Sequence, residues 1–192
     1  MENDCYVVGI GASAGGMEAL RTFFSQLPPN LPAAFVVITH LMREHRSILD
    51  SYLRDKTEMA VVRCDHDMGI ELGMVYVLPE NTHVTIRQRI LRVHPRSNEI
   101  INHAIDIFLS SLATDCGSKA IAVVLSGRGS DGLEGSRKVS ANGGTVLVQS
   151  PESAYAGDMP QAIITGDHPQ EISSPGYLAE KLASLLLDSN KT

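Results

Sequence analysis

The chain has 192 residues, of which 43% are hydrophobic and 20% charged, and it carries a formal net charge of −6. A chain of this length buries a full core without disulfide or metal staples, and its composition is that of a globular protein. The acidic balance argues against a nucleic-acid-binding protein, because such proteins neutralise phosphates with clustered Lys and Arg.

In the first half of the chain, short β-branched runs alternate with amphipathic stretches. YVVGI predicts a buried strand followed by a helix from Gly16 to Gln26, and AAFVVIT predicts a second strand followed by a helix from about Glu44 to Arg54. The shorter runs AVV, MVYVL, HVTI and ILRV predict further strands, with turns at MGIELG and PEN. These runs suggest a small antiparallel hairpin region around residues 74–93.

The second half continues the alternation. A long helix is predicted from about Asn98 to Ala113, with one apolar face made of Ile101, Ile105, Phe108, Leu109 and Leu112. KAIAVVLS predicts a third buried strand, followed by a helix from Leu133 to Ala141, the strand TVLVQ and a final helix from Tyr177 to Leu187. Strands that are apolar on both faces and separated by helices are typical of a covered parallel sheet. We therefore predict an α/β fold: a doubly wound, mostly parallel sheet with helices on both faces.

The loop VVGIGASAGG after the first strand fits two patterns with incompatible functions. Gly9, Gly11 and Ala14 match the G-x-G-x-x-G/A fingerprint of a dinucleotide-binding loop. Gly11, Ser13 and Gly15 match G-x-S-x-G, the sharp turn that presents a nucleophilic serine. The loop alone does not decide between them, because glycines serve both purposes for the same steric reason.

The end of the second strand weighs against a nucleotide-binding module. A dinucleotide site needs an Asp or Glu there, about 20 residues beyond the glycines, to hold the ribose hydroxyl. FVVITH ends instead in Thr39 and His40, and the first acid, Glu44, falls in the next predicted helix. Nucleotide binding by the Gly9–Gly16 loop remains an alternative function.

Three strand ends carry the side chains of an acyl-transfer site. Ser13 follows the first strand, His40 the second, and Asp131, within VVLSGRGSDG, the third. Catalytic groups collect at the carboxyl ends of parallel strands. We therefore expect the hydroxyl, imidazole and carboxylate to meet as nucleophile, general base and orienting anion.

Each of these residues also has a purely structural interpretation. Ser13 fits the N-cap of the helix that follows it, and His40 fits a strand-end histidine that bonds to backbone groups. Asp131 fits the N-cap of its own helix, with Glu134 completing a capping box. Their joint placement at equivalent strand ends favours the catalytic interpretation.

The glycines beside these residues predict an oxyanion hole made of backbone N–H groups. Gly15 and Gly16 allow a helix to begin directly beneath Ser13, so that the N–H groups of Ala14 and Gly15 point at a developing oxyanion. The tight turn SGRGSDG is expected to add the N–H of Arg128.

The remaining signals predict a cytoplasmic protein without a metal site. MENDCYVVGI lacks the basic and apolar regions of a secretory signal, and the apolar runs are far shorter than the roughly 20 residues of a membrane span. The three cysteines are odd in number and widely spaced, unlike a disulfide framework. Cys64 lies near Asp65, His66 and Asp67, but no second ligand pair with suitable spacing follows.

The motifs together resemble the catalytic domain of chemotaxis protein-glutamate methylesterases, the CheB type. They are, in chain order, VVGIGASAGGMEAL, VVITHL, YVLPENTHV, AIDIFLSSLA, AVVLSGRGSDGLEG and AGDMPQAII, and they cover nearly the whole chain. The resemblance implies a doubly wound α/β domain with a triad in the order Ser, His, Asp, which falls on Ser13, His40 and Asp131. Arg128, in the turn SGRGSDG, and Met159, within AGDMPQAII, are the residues expected to contact substrate.

By this resemblance the chain is a serine esterase that hydrolyses glutamate γ-methyl esters on the cytoplasmic helices of methyl-accepting chemoreceptors and releases methanol. Some members of the family also deamidate receptor glutamines. No metal or organic cofactor is implied. The alternative is a methylesterase-like regulatory or docking module with little catalysis.

The chain departs from the family pattern at three places. Ala14 stands where the family often has Thr, and the residues around Asn102 to Ala104 stand where an Arg-Pro-Ser stretch often precedes the long helix. The nucleophile motif begins within the first few residues, so we expect a single catalytic domain over residues 1–192 without the usual N-terminal receiver domain. The expected partners are the receptor helices and a fused or separate methyltransferase with an upstream regulatory domain; nucleic acid is not expected.

Overall fold

The computed structural model describes residues 5–40, 48–96 and 103–188. Its strands are Tyr6–Ala12 (β1), Ala33–Thr39 (β2), Ala60–Arg63 (β3), Met68–Gly69 (β4), Met74–Val77 (β5), Thr82–Arg87 (β6), Ile90–Pro95 (β7), Ala120–Val124 (β8), Thr145–Gln149 (β9) and Glu171–Ser173 (β10). Its α-helices are Gly16–Ser25 (α1), Leu49–Arg54 (α2), Ala104–Cys116 (α3), Leu133–Ala141 (α4), Asp158–Gly166 (α5) and Pro175–Asp188 (α6). Short 3₁₀ turns, Gly117–Lys119 and Pro151–Ser153, precede β8 and α5.

Seven strands form one parallel sheet in the order β10-β9-β8-β1-β2-β5-β3. β1 lies near the middle, with β2 on one side and β8 on the other. The chain therefore adds strands on one side of β1 and then, from β8, on the other, and sheets of this kind bind ligands at the carboxyl ends of the strands beside such a reversal. The predicted doubly wound fold is confirmed.

Helices cover both faces of this sheet, because the strands carry buried apolar side chains on both faces. In β2, Val36 and Val37 are both fully buried, but they belong to opposite hydrophobic clusters because side chains alternate across a strand. One cluster joins the sheet to α1, α2 and α6, as at Phe23 and Leu182. The other joins it to α3, α4, α5 and the small sheet, as at Phe108.

A second, three-stranded antiparallel sheet has the order β4-β7-β6. The predicted antiparallel region is therefore present, but its first residues, Met74–Val77, belong to the parallel sheet as β5. MGIELG is not simply a turn, because Met68–Gly69 pairs with β7. The hairpin turn has φ values of 53° at Gln88 and 60° at Arg89, and both N–H groups donate to the carboxylate of Asp115 in α3.

Several predicted boundaries move. α3 is described from Ala104 and continues to Cys116, while the predicted helical residues 98–102 lie outside the described residues. Likewise the second predicted helix is described from Leu49, and residues 44–47 lie outside. α5 and β10 were not predicted. None of the helices in the described ranges combines the length and hydropathy that crossing a bilayer requires.

Candidate active site

The side chains of Ser13, His40 and Asp131 meet at the carboxyl edge of the parallel sheet. His40 Nδ1 lies 3.1 Å from Ser13 Oγ, and His40 Nε2 lies 2.6 Å from Asp131 Oδ2. The loops that follow β1, β2 and β8, three adjacent strands, supply them. The structure thus brings together the three residues that the strand-end argument selected.

The hydrogen bonds determine which imidazole nitrogen of His40 carries the ring proton. An ionised carboxylate only accepts hydrogen bonds, so the ring proton lies on Nε2 of His40 and is donated to Asp131. Nδ1 then carries a free lone pair, which accepts a hydrogen bond from the Ser13 hydroxyl. In the chymotrypsin arrangement the two nitrogens are exchanged, but the division of work is the same: one faces the acid and the other faces the nucleophile.

Asp131 is held as a carboxylate by the start of α3. Its Oδ2 accepts the N–H of Ile105 at 3.0 Å and its Oδ1 accepts the N–H of Asp106 at 2.9 Å. Burial of the side chain, which is 5% exposed, would raise the pKa of Asp131. The hydrogen bonds from His40 and from these two N–H groups outweigh burial, so the pKa lies below its ordinary value. The positive end of the helix favours the same charged form.

The predicted N-cap roles of Ser13 in α1 and of Asp131 in α4 are wrong. The N-cap of α1 is Gly15, with φ of 73° and no side-chain capping bond, so Ser13 does not cap that helix. The N-cap of α4 is Gly132, again without a side-chain bond, and Glu134 pairs instead with Arg137.

Backbone N–H groups beside Ser13 are available to a ligand. The N–H of Ser13 itself donates to Ser126 O at 2.9 Å, which fixes the turn. Within the described ranges, the N–H groups of Ala14, Gly15 and Arg128 donate to no protein acceptor. Because α1 begins at Gly16, directly after Gly15, the positive end of its dipole lies beside the same turn. This arrangement is suited to a negative oxygen.

The two residues expected to contact substrate are placed differently. Arg128 is exposed in the turn after β8. Met159 is fully buried beneath that turn, where a Cβ atom added at Gly127 would lie 2.2 Å from its sulfur, and its N–H donates to Gly127 O at 3.0 Å. The Met159 side chain therefore supports the turn from inside and does not reach the surface of the site, contrary to the predicted contact.

The first glycines of the dinucleotide pattern serve helix packing. A Cβ atom at Gly9 would lie 2.8 Å from Leu109 Cδ2, and one at Gly11 would lie 2.7 Å from Ile105 Cγ2. Both contacts are with α3, so these glycines allow that helix to approach β1 closely. The pattern is explained here without a pyrophosphate.

One group of possible metal ligands overlaps the site. His103, Asp106 and Asp131 each place one ligand atom within 4.8 Å of the others. However, Asp106 Oδ1 already accepts the N–H groups of Gly132 and Gly135 at 2.9 and 2.8 Å, and Asp131 accepts three hydrogen bonds. N–H donors point their positive ends at these oxygens, so the donor set does not fit a cation.

The loop around Cys64 also uses its acids elsewhere. Asp65 pairs with Arg63 at 2.8 Å, and Asp67 pairs with Arg92 at 2.8 Å. Burial raises the pKa of Cys64 to about 11, with the nearby acids adding to the shift, so the sulfur is a neutral thiol.

Two residues of the site were not predicted. Ser126 is 1% exposed and its hydroxyl lies between the nucleophile turn and the segment before α5. Its position at the end of the predicted strand KAIAVVLS was the available signal. Tyr155 is 82% exposed and lies against the nucleophile turn, where a Cβ atom at Gly15 would be 2.4 Å from its own Cβ. No pattern in the sequence pointed to it.

Comparison with known proteins gives a consistent result. A family model described as CheB methylesterase matches residues 8–182. The protein-glutamate methylesterase/protein-glutamine glutaminase of Lawsonia intracellularis is 28% identical over 185 residues, covering 94% of this chain and 52% of the relative. The protein of the same name from Thermotoga maritima is 31% identical over 185 residues, covering 94% and 54%. The chain spans about half the length of these curated relatives.

A solved structure matches over almost its full length. The crystal structure of the Thermotoga maritima CheB methylesterase catalytic domain is similar with a TM-score of 0.87 and 29% sequence identity. The match covers 95% of this chain and 99% of that one. The part shared with the longer relatives therefore corresponds to a catalytic domain.

Proposed function

Because the chain belongs to the CheB methylesterase family, we propose that it is a serine esterase acting on glutamate γ-methyl esters of methyl-accepting chemoreceptors. The observation that carries the proposal is the hydrogen-bonded series Ser13 Oγ, His40 and Asp131, with distances of 3.1 and 2.6 Å. The relatives that match most of this chain are named for glutamate methylesterase activity. The receptor's cytoplasmic helices are the proposed partner.

The first half of the reaction acylates the enzyme. His40 Nδ1 takes the hydroxyl proton of Ser13 while Oγ bonds to the ester carbonyl carbon, and the carbonyl electron pair moves to oxygen. When the tetrahedral intermediate collapses, the bond to the methoxy oxygen breaks and the proton on Nδ1 passes to it. Methanol leaves, and Asp131 stabilises the imidazolium that exists between these two transfers.

The second half restores the enzyme by the same groups. A water molecule gives its proton to His40 Nδ1 and attacks the acyl carbon, and the proton returns to Ser13 Oγ as the acyl bond breaks. The product is a free glutamate side chain. Replacement of methanol by ammonia as leaving group converts the same steps into glutamine deamidation, the second activity in the names of the relatives.

The oxyanion formed in both halves is proposed to bind the free backbone N–H groups of Ala14, Gly15 and Arg128. These donors lie on the turns that flank Ser13, and the start of α1 adds its dipole. Loss of Thr at the position of Ala14 removes a side-chain hydroxyl but leaves the N–H in place. The exposed Arg128 side chain is proposed to contact the receptor, and Met159 acts only indirectly, by packing under Gly127.

The test is methanol release from a methylated receptor fragment by the wild type, Ser13→Ala and Ser118→Ala. Ser118 is an exposed serine, so its variant controls for the substitution itself. We expect release by the wild type and by Ser118→Ala, with a loss on the order of 10³-fold or more in Ser13→Ala. Equal release by Ser13→Ala would overturn the assignment of the nucleophile. Absence of release by all three folded proteins would favour the docking module.

A further inference from the structure

Ser126 makes an unusual set of hydrogen bonds for a buried serine. Its hydroxyl donates to the carbonyl oxygen of Ala14 at 2.7 Å and accepts the N–H of Ala156 at 3.0 Å. Its own backbone accepts the N–H of Ser13 at 2.9 Å and donates to Gln149 Oε1 at 2.8 Å. One residue therefore joins the nucleophile turn, the end of β9 and the segment before α5.

The bond to Ala14 controls the direction of a neighbouring donor. No cis peptide bond occurs in the described part of the chain, so the carbonyl of Ala14 and the N–H of Gly15 point in opposite directions within their shared peptide plane. When the hydroxyl of Ser126 holds the Ala14 carbonyl, the N–H of Gly15 is held pointing away from Ser126. The N–H meets no protein acceptor among the described residues, so it is free to bind a ligand there.

This peptide needs an external support. Gly15 has φ of 73° and ψ of 2°. Glycine adopts this conformation without strain, but many other conformations are equally open to it. A peptide plane next to a glycine rotates more freely than one between residues that carry side chains. The single hydroxyl proton of Ser126 goes to Ala14 O at 2.7 Å, with the alternative acceptor Ala156 O farther away at 3.3 Å.

We propose that Ser126 is a positioning residue of the oxyanion hole: its hydroxyl holds the Ala14–Gly15 peptide so that the N–H of Gly15 faces the developing oxyanion. The inference rests on the proposed function of Ser13 as a nucleophile. It does not depend on which ester is the natural substrate. Ser126 touches no reacting atom and acts through the orientation of one peptide.

The experiment compares Ser126→Ala with Ser126→Thr, which keeps the hydroxyl, and with Ser136→Ala. Ser136 is a fully buried serine of α4 whose hydroxyl has no hydrogen-bond partner in the described residues, so its variant controls for loss of a buried oxygen. The readouts are kcat and KM for methyl-ester hydrolysis, the melting temperature, and the rate at which a fluorophosphonate labels Ser13. The fluorophosphonate forms a tetrahedral adduct whose oxygen occupies the oxyanion hole.

We expect Ser126→Ala to lower kcat and the labelling rate together by about 10- to 100-fold, since one oxyanion donor is worth on the order of 10²–10³ in rate when it is removed outright. KM should change by less than about threefold, because the donor acts mainly on the transition state. Ser126→Thr should recover most of the lost rate, and Ser136→Ala should match the wild type. If Ser126→Ala does not fold, Ser126→Cys, which keeps the volume but is a weak donor, takes its place with the same expectation.

A folded Ser126→Ala protein with an unchanged labelling rate would overturn the inference, even if its melting temperature falls. A wild type that leaves the receptor ester intact but is labelled at Ser13 would overturn the proposed substrate, and the labelling ratio would still decide the role of Ser126. A wild type that is not labelled would overturn both, because Ser13 would not be a nucleophile.

Discussion

Asp131 and Asp106 cap each other's helices. Asp131 precedes α4, but its carboxylate accepts the N–H groups of Ile105 and Asp106 at the start of α3. Asp106 lies in the first turn of α3, and its Oδ1 accepts the N–H groups of Gly132 and Gly135 at the start of α4. The pair locks two helix ends together and holds the Asp131 carboxylate against His40.

This reciprocal capping places two carboxylates side by side, and their pKa values move in opposite directions. Burial, together with the charge of Asp131, raises the pKa of Asp106 above its ordinary value despite its bonds to backbone N–H groups. Asp131 has the additional bond to His40, and its pKa is lowered. The acid that faces the imidazole therefore keeps its charge more firmly than its neighbour.

Asp106→Ala and Asp106→Asn separate the cap from the charge. Both capping bonds reach Oδ1, and asparagine retains a carbonyl oxygen there. We expect Asp106→Ala to lose about 0.5–2 kcal/mol of unfolding free energy, the usual cost of removing a helix cap, and to lower kcat by loosening Asp131. Asp106→Asn should keep the cap and lose no stability relative to the wild type. Urea unfolding at neutral pH measures the stability of both variants, and methanol release measures their kcat; equal stability losses in the two variants would contradict the capping role of Oδ1.

Asp131→Asn tests the tautomer of His40. An amide nitrogen in place of Oδ2 donates a hydrogen bond to Nε2, at the expense of the N–H of Ile105, which loses its acceptor there. The ring proton then moves to Nδ1, which removes the base that faces Ser13. We expect kcat to fall by a factor on the order of 10³–10⁴, as for the same change in a serine protease triad. Glu134→Gln, at an exposed position in the first turn of α4, is the matched control and should keep full activity. Methanol release measures both, and a kcat within a few-fold of the wild type for Asp131→Asn would contradict the assigned tautomer.

The meeting of Ser13, His40 and Asp131 could be predicted because a parallel sheet gathers the carboxyl ends of its strands at one edge. The strands themselves could be predicted from their uninterrupted apolar runs. By contrast, the partners of Asp131 could not: Glu134 three residues away fits a local capping box, whereas the actual partners are N–H groups about 26 residues earlier, brought near only by tertiary packing.

The missed elements have similar physical causes. In α5, Pro160 suggests an interruption, but it lies in the first turn, where its missing N–H has no intrahelical partner to lose. β10 has only three residues and none is fully buried, so it carries no apolar run. The hairpin turn at Gln88 and Arg89 lacks glycine, and its left-handed backbone is stabilised by Asp115 from a distant helix.

The dependence of unfolding free energy on pH below about pH 5 should reflect the lowered pKa of Asp131. A carboxyl whose folded pKa lies below its unfolded value, 3.8 for this group, contributes stability that is present above the unfolded pKa and is lost as pH falls through the folded pKa. We expect the stability advantage of the wild type over Asp131→Asn to be constant above about pH 5 and to shrink below about pH 4. Chemical unfolding at a series of pH values measures it; parallel profiles for the two proteins would contradict the lowered pKa.

Asp106 should show the opposite sign. Its folded pKa is raised, so its favourable contribution is complete below the unfolded value and is lost as pH rises through the folded one. Asp106→Asn, which does not titrate, should therefore gain stability relative to the wild type as the solution moves from about pH 3 to about pH 7. The same unfolding series measures this difference, and a variant that loses stability relative to the wild type over that range would contradict the raised pKa.

Gly15 should be the less replaceable of two glycines with similar positive φ angles. Gly15 has φ of 73° and Gly129 has φ of 81°, so alanine is strained at both, at a cost of about 1–2 kcal/mol each. At Gly129 an added Cβ meets nothing within 4 Å, whereas at Gly15 it would lie 2.4 Å from Tyr155 Cβ and 2.9 Å from Ser126 Oγ. The clash pushes on the hydroxyl that holds Ala14, so Gly15→Ala should lose more melting temperature than Gly129→Ala and should also lose activity toward the methyl ester. Equal losses in the two variants would mean that the Tyr155 segment moves aside at little cost, and that backbone conformation alone makes glycine necessary in the nucleophile turn.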